Sequence, residues 1–149
     1  MVQPTSDDAL HCYDAIDAID AVPAEFSVVL NVVALPTGRV LQTAPSGETD
    51  PAAGLFAKQG LVVRVGASVD RRIGDERASR ARIGWGNPGT VGDHVRVEAV
   101  DCARDSAAQW VAFAGGYYVA EPMCLPIVVE SEGSREVVQI AVGTACEPT

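Results

Sequence analysis

Apolar and polar residues alternate from Leu61 to Ile73: Leu61, Val63, Val65, Ala67, Val69 and Ile73 share one face, Arg64, Ser68, Asp70 and Arg72 the other. A period of two belongs to an extended chain, because successive side chains of a strand point to opposite sides. Arg71 alone breaks the apolar set. The same reading predicts strands at Arg80–Trp85, His94–Val100, Gln109–Ala114 and Tyr117–Ala120, with Gly115-Gly116 as a tight turn or bulge. Leu125–Glu130 and Glu136–Val142 form a closing hairpin. Upstream, Phe26–Leu35 is a Val-rich run suited to a strand buried on both faces, and Pro36-Thr37-Gly38 turns it into a short strand over Arg39–Thr43. Ala44–Ala57 carries Pro45, Gly47, Pro51 and Gly54 and reads as a loop, with one helical turn placed over Ala52–Lys58.

Residues 7 to 22 contain a three-residue Asp-Ala-Ile step. On a helix it sets Asp14, Asp17 and Asp20 opposite Ile16, Ile19 and Val22, with Pro23 as the stop. A short N-terminal helix is one expectation, and an extended arm over the sheet is the other. Residues 1–24 are this arm, 25–146 the main domain and 147–149 a tail. Eight or nine short strands with frequent turns predict an all-β, antiparallel β-sandwich of immunoglobulin-like type.

A chain of 149 residues suits one domain and buries roughly 70% of its unfolded surface. Aromatic residues are only 5% of the chain, so Val, Ala, Ile and Leu must fill the core. The formal charge of −9 repels phosphate backbones and anionic lipid, which excludes nucleic acid as an expected partner. No stretch approaches the roughly 18 apolar residues of a membrane helix, so no direct membrane insertion is expected. Arg outnumbers Lys, which occurs once as Lys58, and Ala, Val, Asp and Gly are abundant. That bias matches a GC-rich genome of the actinobacterial kind.

Cys12, Cys102, Cys124 and Cys146 allow three pairings. If the closing hairpin turns near Arg135, Cys124 meets Cys146 and Cys12 is left for Cys102, each bridge contributing about 3 to 4 kcal/mol. Zinc sites want ligand pairs two to five residues apart, and redox sites want Cys-x-x-Cys. Neither spacing occurs here, so no metal and no cofactor are expected. Bridges imply an oxidising compartment. No export signal follows Met1, so the expected location is extracytoplasmic with the export segment removed; a cytoplasmic domain with reduced thiols is the alternative.

Other motifs fail on context. Gly84-Trp85-Gly86-Asn87-Pro88-Gly89 matches G-x-G-x-x-G, yet a strand follows where a dinucleotide site needs a helix. Gly66-Ala67-Ser68-Val69-Asp70 falls one residue short of a nucleophile elbow and lies inside a strand. Asp14, Asp17 and Asp20 lack the alternating spacing of a calcium loop. The 20 acidic residues leave a glycosidase-like pair open, because sequence sets no distance between carboxylates. No catalytic residue is assigned. Trp85, Asn87, Trp110, Tyr117 and Tyr118, in or beside glycine-rich turns, form the expected binding rim for a protein or glycan. Tyr117 and Tyr118 are neighbours on a strand, so one points inward, and at least half of the set is expected in the core.

The ordered set Leu55-Phe56-Ala57-Lys58, Gly60-Leu61-Val62-Val63-Arg64, Ile83-Gly84-Trp85-Gly86, Trp110 through Ala114-Gly115-Gly116-Tyr117, Cys124-Leu125-Pro126 and Gly143-Thr144-Ala145-Cys146 resembles the extracytoplasmic part of uncharacterised actinobacterial secreted or membrane-anchored proteins. The likeness spans roughly residues 25 to 146. It implies export and the Cys124–Cys146 pair, and it carries no activity. The expected role is a non-enzymatic module of the cell envelope. An envelope polysaccharide hydrolase with an acidic dyad is the rival.

Overall fold

The computed structural model describes residues 9–85, 92–99 and 108–146. Thirteen strands occur among them: β1 (Asp17–Ile19), β2 (Ser27–Val29), β3 (Val33–Leu35), β4 (Ala44–Pro45), β5 (Leu55–Lys58), β6 (Leu61–Arg64), β7 (Ser68–Ile73), β8 (Ala81–Trp85), β9 (His94–Glu98), β10 (Trp110–Phe113), β11 (Gly115–Val119), β12 (Met123–Ser131) and β13 (Ser134–Val142). They form three antiparallel sheets, in the orders β1-β10-β6-β3-β2, β4-β5-β11-β8 and β13-β12-β7-β9. The sheets pack in a sandwich-like arrangement around a core of Val, Leu and Ile, in which Val33, Val63, Phe113, Leu125, Ile127 and Ile140 lose essentially all exposure. The all-β antiparallel sandwich is therefore the fold.

The strand number exceeds eight or nine because runs expected to be single strands bend or fold back. Leu61–Ile73 divides into β6 and β7, which belong to different sheets. The break falls at Gly66, whose φ of +93° is open to glycine without steric cost. Phe26–Leu35 is not one doubly buried strand. It is the β2–β3 hairpin, turned by Leu30 and Asn31 at φ 52° and 62°. The Ala44–Ala57 loop contains β4 and a 3-10 turn at Pro51–Ala53, and β5 replaces the helical turn expected over Ala52–Lys58. Of the strand expected over Arg39–Thr43, only Leu41 makes a β-bridge, to Val142.

β5–β6 and β11–β10 make one bent ribbon. Lys58 faces Gly116 and Leu61 faces Phe113, so the register continues unbroken across the bend while the ribbon passes from one sheet into the next. Gly115-Gly116 therefore marks a corner, not a hairpin turn. The glycines are there for backbone approach: a Cβ on Gly115 would lie 2.1 Å from the Gly84 carbonyl oxygen, and one on Gly116 2.2 Å from that of Ala57.

The described part of the N-terminal segment does not form the amphipathic helix. Helical geometry is limited to a 3-10 turn at Cys12–Asp14, and β1 then pairs with β10, Ile19 opposite Trp110. This is the extended alternative. Pairing satisfies the backbone donors and lets Ile19 join Val22 and Phe26 over a small second cluster of Ala34, Val62 and Trp110.

The β12–β13 hairpin is present with nine paired positions. Its turn lies at Glu132–Gly133, with φ 50° and 84°, and not near Arg135. Cys124 consequently faces Ala141. Gly143, at φ 78°, redirects the chain past the strand end and brings Cys146 back to Cys124, where the Cα atoms lie 5.0 Å apart and the disulfide closes. The expected pair forms, through a return of the chain that simple opposition does not provide. Cys12 is also disulfide-bonded, and Cys102 lies outside the described residues.

Candidate functional site

The outer face of the β4-β5-β11-β8 sheet carries a row of side chains set by cross-strand pairing: Ala44, Phe56, Tyr118 and Arg82. Phe56 and Tyr118 are half-buried, with ring centroids 4.7 Å apart and planes inclined by 35°. Gly116 makes room for them, since a Cβ there would stand 2.7 Å from Phe56 Cε1. Two tilted rings and a side-chain-free strip thus form an apolar shelf.

Charge frames the shelf. Arg82 Nε lies 3.2 Å from Asp50 Oδ2, and its Nη1 donates to the carbonyls of Ala78 and Ala81 at 2.9 and 2.7 Å. Asp50 also accepts from the Ala52 N–H at 2.9 Å, capping the 3-10 turn at Pro51–Ala53. The Glu48 N–H donates to Ser46 Oγ at 3.0 Å, and Ser46 Oγ bonds to the Ala53 carbonyl. Exposed Lys58 lies opposite Gly116. Burial raises the Tyr118 phenol pKa above 10.0, and the Glu48 carboxylate adds to the shift by disfavouring a second negative charge. Tyr118 therefore presents a neutral hydroxyl donor beside an acidic acceptor.

A second unusual group lies inside the sandwich. Arg71 has no exposure at all. Its strand position sets it between Val129 and Val95, on the core face of β7. The guanidinium carbon sits 4.4 Å from the centroid of Trp85 and 5.7 Å from that of Tyr117. Nη2 donates to Tyr117 Oη at 2.9 Å. Trp85 and Tyr117 meet edge to face at 5.1 Å, and Trp85 Nε1 donates to the Gln59 carbonyl at 2.7 Å. Arg71 Nε and Nη1 are buried without a hydrogen-bond partner. Among the described residues no carboxylate forms an ion pair with Arg71, whereas Arg39, Arg72, Arg80, Arg82 and Arg96 each have one.

The residues expected at a rim separate. Trp85 and Tyr117 belong to the main core and Trp110 to the second cluster, where Arg64 stacks on its ring at 4.4 Å. Tyr118 alone of the described four stays partly open, and Asn87 lies outside the described residues. Parity on β11 decides the tyrosines: Tyr117 points in and Tyr118 out. Phe56 and Arg71 lie outside the expected rim. The Pro and Gly residues before Phe56 mask its strand in the sequence, whereas the place of Arg71 on an apolar face signals it.

Elsewhere, Ser68 lies in β7, with its carbonyl accepting from Ser131 Oγ at 2.7 Å. His94 Nε2 sits 2.5 Å from Asp70 Oδ1 on the exposed face of the β7–β9 pair. Among the described residues no group of three or more His, Cys, Asp or Glu side chains is placed to hold a metal ion. No helix among them is long and apolar enough to cross a membrane. Compared with known protein families and with curated proteins, the chain matches none.

Proposed function

We propose that this protein is a non-enzymatic, extracytoplasmic β-sandwich module of an actinobacterial cell envelope, and that it docks a glycan on the Phe56–Tyr118 shelf. The observation that carries the binding role is the shelf itself, two tilted rings over Gly116 with charged groups at the border. Flat apolar rings take the C–H faces of a sugar, and bordering polar groups take its hydroxyls. The Cys124–Cys146 disulfide supports an oxidising location. The resemblance of residues 25 to 146 to envelope proteins points the same way. Asp50 is committed to Arg82 and to the Ala52 N–H, which favours docking over acid–base work at this face.

Binding of envelope polysaccharide fragments, followed on a glycan array and by calorimetry, tests the reading. Tyr118→Ala and Phe56→Ala should each weaken binding at least tenfold while the disulfide-bonded fold persists. Equal binding by the wild type and both variants would remove the shelf from consideration. Release of reducing sugar ends during incubation would favour the hydrolase instead.

A further inference from the structure

Among the described residues Arg71 is the buried charged side chain. A guanidinium stays charged in proteins. An isolated charge between apolar sheets costs several kcal/mol unless it is paired and hydrogen-bonded. Here the compensation consists of the Trp85 face at 4.4 Å, the Tyr117 ring at 5.7 Å and the Tyr117 phenol oxygen at 2.9 Å. Cation–π contacts return only part of what an unpaired buried charge loses. The three N–H bonds on Nε and Nη1 remain buried donors.

We infer that Arg71 is the receptor of an internal anion site, and that its ligand is a small monovalent anion such as a halide or formate. Three features define this class. One positive charge calls for one negative charge, because a divalent anion would leave an excess charge in apolar surroundings. Enclosure by β-sheet residues favours small ions, since Arg71 has no exposure and Val129 and Val95 flank it. The free donors are N–H groups, which suit an acceptor ion. The low dielectric that makes an unpaired guanidinium costly also strengthens its bond to an anion. Trp85 covers one face of the guanidinium, so an ion is met in its plane, by the Nε donor or by the Nη1 donors, which lie on different edges of the fork. The inference is independent of the glycan reading, for the Phe56–Tyr118 shelf is on the outer face of its sheet.

An anion that binds only the folded chain raises its melting temperature by mass action. Full-length, disulfide-intact protein is melted in sodium gluconate at constant ionic strength, with gluconate replaced stepwise by chloride, formate or sulfate. Chloride and formate should give a saturable rise of about 4 °C at tenfold excess over Kd, and sulfate no saturable rise. Arg71→Met should abolish the response and Tyr117→Phe, which keeps the charge, should retain it. The same response in Arg71→Met, or none in the wild type, would overturn the site. Should Arg71→Met not fold, chloride-35 NMR on the wild type decides. Line broadening relieved by formate supports the site, and no excess broadening refutes it.

Discussion

Replacing both Cys124 and Cys146 by Ala removes one covalent tie and leaves the rest of the hairpin in place. The cysteines are 22 residues apart. Closing a loop of that size lowers the entropy of the unfolded chain by about 11 cal/mol/K, or about 3 kcal/mol at 25 °C. The folded state keeps the nine cross-strand positions of β12 and β13. It also keeps Leu125, Ile127, Ile140 and Val142 buried, so the substitution acts mainly on the unfolded ensemble. Urea unfolding of the double variant, with the Cys12 bridge intact, should show a loss of about 3 kcal/mol and a fall in Tm of roughly 6 to 12 °C. The slope of free energy against urea should rise, because the untied chain exposes more surface on unfolding. A loss below about 1 kcal/mol with an unchanged slope would refute the reasoning, since it would place the effect of the bond elsewhere than in unfolded-chain entropy.

Gly116→Ala drives a methyl group to 2.2 Å from the Ala57 carbonyl oxygen and into Phe56. It should cost about 3 kcal/mol in chemical denaturation, and a neutral result would contradict the close approach of β5 and β11. Glu132 holds φ 50° in the β12–β13 turn, so Glu132→Asn, which makes Asn-Gly, should stabilise by about 0.5 to 1 kcal/mol in the same assay. The raised pKa of Tyr118 stabilises the fold fully below the unfolded-state pKa of 10.0, and that contribution is lost as pH rises through the folded-state value. Glu48→Gln should lower the Tyr118 titration midpoint, read by ultraviolet difference absorption, and an unchanged midpoint would show that Glu48 does not act on the phenol.

Much of the sandwich is legible in side-chain alternation. Leu61, Val63, Ala67, Val69 and Ile73 are all buried, as their shared face requires. Tyr117 and Tyr118 divide between core and surface by the same parity. Alternation nevertheless survives a bend, because each residue still turns its side chain opposite to the last. The pattern therefore cannot distinguish one long strand from β6 and β7 in different sheets. The shelf was half legible: Tyr118 stood among the expected contact residues, whereas Phe56 follows a stretch whose Pro and Gly content reads as loop. Nothing local shows that Gly116 lies under Phe56, because that contact depends on β5 and β11 pairing across the ribbon.

By itself the sequence determined the β character, the inward face of most strands and the closing hairpin. These rest on local sterics and on the two-residue period; the expected Cys124–Cys146 pair forms, but not by the cross-strand opposition that the sequence suggested. Only the tertiary structure decided which sheet each strand joins, how Cys146 returns past Gly143 and what surrounds Arg71. An arginine on an apolar face is visible in the chain, but the Tyr117 oxygen that it meets is 46 residues away. The free energy of a buried charge is set by neighbours that only packing brings within reach.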